Sequence, residues 1–153
     1  MKKYFGLFLL LGTLVACNKD KFETKPQLKL KSVNNNEVRY NGNLVVNLEF
    51  TDKEGDVNDS LFVIRERMNV RGPIVSFPTP FKIPNFPERN QGELQINFDF
   101  QTELVFGIPA IRIPGTVPSQ YETDTLRLKF VARDKEGNLS DTLTVNDIFI
   151  ERL

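Results

Sequence analysis

Hydrophobic and polar residues alternate along most of this chain, and that period of two limits its fold more than any other feature. In residues 44–50 the apolar side chains fall at every second position, and the pattern recurs in 94–100 and 126–132. Such alternation places one face of a strand in a core and the other in water. No stretch of eleven or more residues keeps the spacing of an amphipathic helix. The sequence therefore predicts antiparallel β-sheets with almost no helix.

The alternating stretches also predict how many strands there are and where they lie. We predict strands at 27–33, 43–50, 60–68, 93–100, 124–133 and 141–151, an edge region at 74–84, and a further strand within 102–113. A one-residue slip of phase before Ile148 predicts a β-bulge near Asn146 or Asp147. About seven short strands match the count of an immunoglobulin-like sandwich. The predicted fold is an all-β, immunoglobulin-like antiparallel β-sandwich, with an open β-barrel as the alternative.

Two proline-rich segments, 72–87 and 107–118, separate these strands. Proline donates no hydrogen bond to a sheet, so both segments are predicted to be edges or loops. Their Phe and Ile side chains either cap the ends of the core or form an apolar surface for a partner.

Composition narrows the classes of function. The chain has 153 residues, 20 Lys+Arg against 20 Asp+Glu, no His, no Trp and one Cys. That length predicts one domain, and the charge balance lacks the basic excess of a nucleic-acid-binding protein. The sequence offers no His as general base or metal ligand, and one Cys can form neither an intrachain disulfide nor a cysteine cluster. We therefore predict a protein that is not an enzyme.

The first seventeen residues resemble a bacterial lipoprotein signal peptide. Lys2 and Lys3 precede an uncharged run, 4–16, which is shorter than the roughly 20 residues that a membrane-spanning helix needs. The run ends in Leu-Val-Ala-Cys at 14–17, which matches the lipobox pattern. The resemblance implies cleavage after Ala16 and acylation of Cys17. The predicted organisation is a signal peptide at 1–16, a lipidated tether at 17–26 and the sandwich domain at 27–153.

A decapeptide occurs twice, 82 residues apart. Residues 52–61 read DKEGDVNDSL and residues 134–143 read DKEGNLSDTL, with six of ten positions identical. Each copy follows one predicted strand and precedes another, and in an immunoglobulin-like sandwich these two loops lie at the same end. The repeat is therefore predicted to gather seven carboxylates: Asp52, Glu54, Asp56, Asp59, Asp134, Glu136 and Asp141.

Two interpretations of the repeat remain open. Asp at the first position and Gly at the fourth are typical of a tight turn, in which the carboxylate accepts backbone N–H groups and the glycine takes a positive φ. Alternatively, the carboxylates bind calcium, which takes six to eight oxygen ligands and needs neither His nor Cys. The spacing does not match an EF-hand loop. No other cofactor is predicted.

The lipobox together with these Asp- and Gly-containing loops in an all-β chain is similar to the small envelope lipoproteins of Bacteroidota-type bacteria. That resemblance implies an immunoglobulin-like fold and a lipid-anchored position in the cell envelope, at the periplasmic face or outer surface of the outer membrane. It also implies O-glycosylation at Asp-Ser/Thr-aliphatic sites, which match at Ser60, Thr125 and Thr142.

The predicted function is that of a membrane-anchored, non-catalytic binding or structural module whose partner is an envelope protein or a glycan. Nucleic acid is not a predicted partner. One alternative is a calcium-dependent adhesion or glycan-binding accessory module. The other is a hydrolase that draws a carboxylate acid and base from the two repeated loops.

Overall fold

Two β-sheets form the fold in the computed structural model, which describes residues 23–57, 59–73 and 75–153. The strands are β1 (Gln27–Val33), β2 (Glu37–Val38), β3 (Asn43–Thr51), β4 (Ser60–Arg67), β5 (Ser76–Lys82), β6 (Gln91–Asp99), β7 (Asp124–Arg133) and β8 (Leu143–Ile150). One sheet has the strand order β1-β3-β6 and the other the order β2-β8-β7-β4-β5. All neighbouring strands are antiparallel except the short pair β2 and β8.

The hydrophobic core lies between the two sheets. Alternate residues of β3 and β7 are buried, because successive side chains of a strand point to opposite faces. Phe98 of the three-stranded sheet meets Phe130 of the five-stranded sheet edge to face, with ring centroids 6.3 Å apart. The chain is thus an all-β sandwich, as predicted, and the two separate open sheets of the described residues do not match the alternative of an open barrel.

The predicted bulge in the last strand is confirmed. Leu126 of β7 faces Ile148, whereas Leu128 faces Val145, so β8 contains one more residue than β7 across this interval. Asp147 lies within the interval and has a φ of 59°. The extra residue explains why Val145, Ile148 and Ile150 change phase along β8 and are still all buried.

One predicted strand is wrong. Residues 102–113 do not form a strand, because the chain after β6 turns into a π-helical turn, Phe100–Leu104, and then into a loop. The carboxylate of Asp99 starts this turn by accepting the N–H groups of Gln101 at 3.0 Å and Thr102 at 2.9 Å. Phe100 and Leu104 are both buried, so two apolar residues four apart enter the core on one face of a turn.

The proline-rich segments have the positions predicted for them. Residues 76–82 form β5 at the edge of the five-stranded sheet, and the second segment is a loop that contains one isolated bridge, between Arg112 and Tyr121. Ile83 and Ile108 are buried in the core, so these residues cap it. Phe106, just before the second segment, and Val117 within it are exposed instead. The segments therefore combine core capping with exposed apolar side chains.

The strand directions give the sandwich two distinct ends. The first repeated loop joins β3 to β4 and the second joins β7 to β8, and Ser60 pairs with Arg133 where both loops meet the sheet. We call this the loop end. The opposite, far end holds the connections 34–42, 68–75 and 100–123 and the C-terminal residues. The two predicted loops therefore share one end of the fold.

The segment that the sequence predicts to be a signal peptide lies outside the described residues, as does Cys17. Within the described part of the chain, no helix has the length and apolar character needed to cross a membrane.

Candidate cation site between the repeated loops

Three of the seven predicted carboxylates meet at the loop end. Asp52 and Asp56 of the first loop and Asp134 of the second each have a carboxylate oxygen within 4.8 Å of the corresponding oxygens of the other two. All three residues are buried. Buried carboxylates normally have a cationic, metal or hydrogen-bonding partner, so the contacts of each one determine what the site can do.

The first loop is built as a tight turn around Asp52. Its Oδ2 accepts the N–H groups of Gly55 at 2.7 Å and Asp56 at 3.1 Å. Gly55 has a φ of 77°, in the left-handed region that glycine adopts without a steric penalty. The turn chemistry predicted from the DKEG pattern is confirmed here, and it uses only one of the two oxygens of Asp52.

The second loop repeats the same turn around Asp134. Gly137 has a φ of 92°, and the backbone N–H of Asn138 donates to Oδ1 of Asp134 at 2.7 Å. The side-chain amide of Asn138 also donates to Oδ2 of Asp134 at 2.9 Å. Both oxygens of Asp134 are therefore hydrogen-bonded within its own loop.

The two copies differ at one position that matters for this site. Asp56 occupies in the first copy the place that Asn138 occupies in the second. An ionised Asp only accepts hydrogen bonds, whereas Asn also has two N–H donors. Consistent with that difference, Oδ1 of Asp52 and Oδ1 of Asp56 are buried and have no hydrogen-bond partner among the described residues.

The electrostatics of the site disfavour the charged form of Asp52. Burial raises the pKa of the Asp52 carboxyl, and the negative charge of Asp56 raises it further. The backbone N–H groups of Asp56 and Gly55 act in the opposite direction by stabilising the carboxylate. The net direction is upward, because the effect of burial outweighs that of the two N–H donors.

Residues 89 and 90, which precede β6, form hydrogen bonds with the backbone of the first loop. The backbone N–H of Arg89 donates to the carbonyl oxygen of Gly55 at 3.0 Å, and that of Asp52 donates to the carbonyl oxygen of Asn90 at 2.9 Å. The Asn90 amide donates to the carbonyl oxygens of Asp52, at 3.1 Å, and of Lys53. These bonds hold the loop backbone against β6 and keep Asp52 away from water.

The N-terminal segment also contacts both repeated loops. The carbonyl oxygen of Glu23 accepts the N–H of Lys53 at 3.0 Å, and the Lys25 ammonium pairs with Asp141 at 2.9 Å. Pro26 is buried. Residues 23–26, which the sequence predicts to be part of the tether, thus pack against the domain because their backbone and charges find partners in the two loops.

The other four predicted carboxylates lie outside the cluster. Glu54 and Glu136 are exposed at the tips of the turns. Asp59 forms an ion pair with Arg133, whose Nε donates to Oδ2 at 2.6 Å, and this hydrogen bond lowers the pKa of Asp59. Asp141 is largely exposed and pairs with Lys25. Two of these four therefore have cationic partners of their own.

The predicted modification sites differ in accessibility. Thr142 is exposed in the second loop, just before β8. Ser60 and Thr125 are half-buried within the central strands β4 and β7. Cys17, the predicted lipidation site, lies outside the described residues.

The three-carboxylate cluster does not have the arrangement that glycoside hydrolysis uses. Such enzymes need two carboxyl groups that flank a bound sugar, with access for substrate and water. Asp52 and Asp134 are 0% and 2% exposed, so neither carboxylate is open to a substrate that approaches from solvent. The geometry suits a small bound cation better than a substrate.

Sequence reasoning missed a second charged cluster, at the far end. Arg65 and Arg67 lie on the buried face of β4. Arg65 donates to the carbonyl oxygens of Leu104 at 3.1 Å and Phe106 at 3.2 Å. The alternation in β4 contained this information, because Arg65 and Arg67 follow Leu61 and Val63 at every second position, on the same buried face. Arginine is so seldom fully buried that neither residue was predicted to lie in the core.

Arg67 is part of a buried ion network centred on Asp124. Its Nη1 lies 3.5 Å from Oδ1 of Asp124, and Nε of Arg152 donates to Oδ2 of Asp124 at 2.7 Å. The same two arginines donate to the carbonyl oxygens of Pro109 at 2.6 Å and Ile108 at 2.9 Å. The network therefore fastens the loop after the π-helical turn to the five-stranded sheet.

Comparison with known proteins adds no relative to these observations. No protein-family model matches the sequence, and no match was found among curated proteins or among solved structures.

Proposed function

We propose that this chain is a lipid-anchored, non-catalytic binding module of the cell envelope, tethered at its loop end and binding a partner at its far end. The main support for the proposal is that the two ends of the domain differ. The N-terminal segment leaves the sandwich at the loop end, whereas exposed apolar side chains collect at the far end.

The tether is short compared with the domain. Cys17 precedes Glu23 by six residues, which span at most about 20 Å when fully extended. Strand β7 has 10 residues, which corresponds to about 33 Å from one end of the sandwich to the other. A lipid on Cys17 would therefore keep the loop end within about 20 Å of the bilayer, whereas the far end can extend farther from it.

The far end has the features of a binding surface. Phe106 and Val117 are 68% and 95% exposed. The first part of the loop between them, residues 106–109, is held by hydrogen bonds from Arg65, Arg67 and Arg152. Exposed apolar side chains on a held backbone suit a protein partner, because their burial is favourable and little loop entropy is lost on binding. A glycan partner would require more polar contacts.

An open groove at the same end supports this assignment. It has a volume of about 530 Å³ and lies beside β2 and the end of β8, with Glu37, Arg39 and Glu151 among its lining residues. That volume is within the range of small-ligand sites. The groove and the exposed apolar loop give the proposed binding end both charged and apolar contact points.

Replacing Cys17 by serine is expected to abolish lipid attachment. Full chains of wild type and Cys17→Ser would be produced in a Gram-negative host fed an alkyne fatty acid, and then separated into membrane and soluble fractions. Wild type should carry the label and remain with membranes, since more than one acyl chain gives stable anchoring. Cys17→Ser should lose the label, and Asp141→Asn, which preserves Cys17, should retain it. An unlabelled wild type, or a labelled Cys17→Ser chain, would contradict the proposed anchor.

A further inference from the structure

We propose that Asp52, Asp56 and Asp134 bind one calcium ion, which joins the two repeated loops. The site is independent of the lipid anchor, because no ligand belongs to the tether and the three carboxylates lie within the folded domain.

First, the three carboxylates lie close together and are shielded from water. Three carboxylates from two loops approach within 4.8 Å of one another, and all three side chains are at least nine-tenths buried. Like charges at this separation repel strongly where water is excluded. Removing a carboxylate from water is also unfavourable unless hydrogen bonds or a cation replace its hydration.

The second step is the comparison of the two copies. In the second loop, the Asn138 amide donates to Oδ2 of Asp134 and completes the hydrogen bonding of that carboxylate. In the first loop, Asp56 stands at the equivalent position and supplies another negative oxygen in place of a donor. The first loop therefore lacks the side-chain hydrogen bond that the Asn138 amide donates to the turn carboxylate in the second loop.

The third step is the pair of buried oxygens without partners. Oδ1 of Asp52 and Oδ1 of Asp56 are buried and make no hydrogen bond among the described residues, and both residues belong to the three-carboxylate cluster. Buried polar atoms without partners are rare in proteins, and where they occur a bound ion can be the partner that satisfies them. These two oxygens are therefore free to serve as ligands, and Asp134 adds charge from the opposite loop.

The chemistry of the ligands favours calcium over other metal ions. Every candidate side-chain ligand is a carboxylate, and the described residues contain neither His nor Cys, the ligands that zinc and copper favour. Calcium accepts irregular oxygen coordination and completes it with backbone carbonyls and water, whereas magnesium requires a near-ideal octahedron. A site formed where two irregular turns meet therefore suits calcium better than magnesium.

The test is a set of thermal unfolding curves of the full chain, purified in detergent, in chelator and in calcium. For a site in the affinity range of extracellular modules, about 5 mM calcium should raise the Tm of wild type by about 3–10 °C. The same concentration of magnesium should raise it less, and sodium chloride of equal ionic strength should not raise it. Titration calorimetry should give one calcium ion per chain.

Two variants separate the ligands from charges nearby. Asp56→Asn copies the residue found in the second loop, so it should fold, lose the calcium response and melt above wild type in chelator. Asp134→Asn should also lose the response. Asp141→Asn and Glu136→Gln remove the same charge outside the cluster and should retain it.

The proposal would be overturned by identical wild-type curves in chelator and calcium, or by an equal shift in magnesium or sodium chloride. A response that survives Asp56→Asn, or that disappears in Asp141→Asn, would overturn it as well. Because Cys17→Ser should keep the calcium response, failure of the lipid anchor and failure of the calcium site give different results.

Discussion

Replacing Asp124 by alanine should destabilise the folded domain by about 3–5 kcal/mol, the usual cost of breaking a buried ion pair from one side. Asp124 is fully buried at the start of β7, where it lies between Arg67 and Arg152. Without its carboxylate, two guanidinium groups remain in the interior with only backbone carbonyl oxygens as partners. The loss should also loosen the loop at Ile108 and Pro109, which the same arginines hold.

Urea unfolding of wild type and Asp124→Ala measures this effect as a change in the free energy of unfolding. Asp59→Ala is the matched control, because it also breaks a carboxylate–arginine pair, with Arg133, but at a half-exposed position. Solvent-screened pairs contribute little, so the control should unfold close to wild type. If Asp124→Ala unfolded within about 1 kcal/mol of wild type, the buried network could not be what fixes the far end.

Gly55→Ala should destabilise the domain by about 2–4 kcal/mol, from a positive-φ penalty together with overpacking. The φ of Gly55 is 77°, and an added Cβ would lie 2.9 Å from the backbone nitrogen of Arg89 and 3.0 Å from its carbonyl carbon. Backbone atoms cannot rotate away as a side chain can. The first loop or the segment before β6 would have to move, and the carboxylates of Asp52 and Asp56 would move with it.

Gly137→Ala is the control, since the repeat supplies the same turn in a different environment. Gly137 has a φ of 92°, and no atom lies within 4 Å of an added Cβ. This change should cost only the conformational penalty, about 1–2 kcal/mol. Equal losses for the two variants, measured by chemical denaturation, would show that the close packing of Arg89 on the first loop does not contribute to stability.

Most of the fold could be predicted from the sequence because a half-buried strand leaves a local pattern. In residues 44–50 the alternation of apolar and polar side chains is enough to predict which face is buried. The change of phase before Ile148 predicts the bulge at Asp147. The turn at Phe100–Leu104 could not be predicted in this way. Its apolar residues continue the alternation of β6, and the hydrogen bonds from Asp99 that turn the chain depend on backbone geometry.

The candidate site was only partly predictable. The repeat identified both loops and their shared end, yet seven carboxylates looked equivalent in the sequence. Only the folded turns distinguish Asp56, which faces inward, from Glu54, which is exposed. The buried arginines Arg65 and Arg67 were missed because the partners that allow their burial, backbone carbonyls from 104–109, are more than thirty residues away.

A thiol-specific probe on the lipidated full chain in vesicles would measure whether the loop end is the end attached to the bilayer. Acylation removes the thiol of Cys17, so a cysteine placed at Lys135 in the second loop or at Ser119 at the far end would be the only reactive one. A fluorophore at each position would be quenched by a nitroxide lipid in the bilayer. We expect strong quenching at position 135 and little at position 119. Equal quenching at both positions, or stronger quenching at 119, would contradict attachment at the loop end.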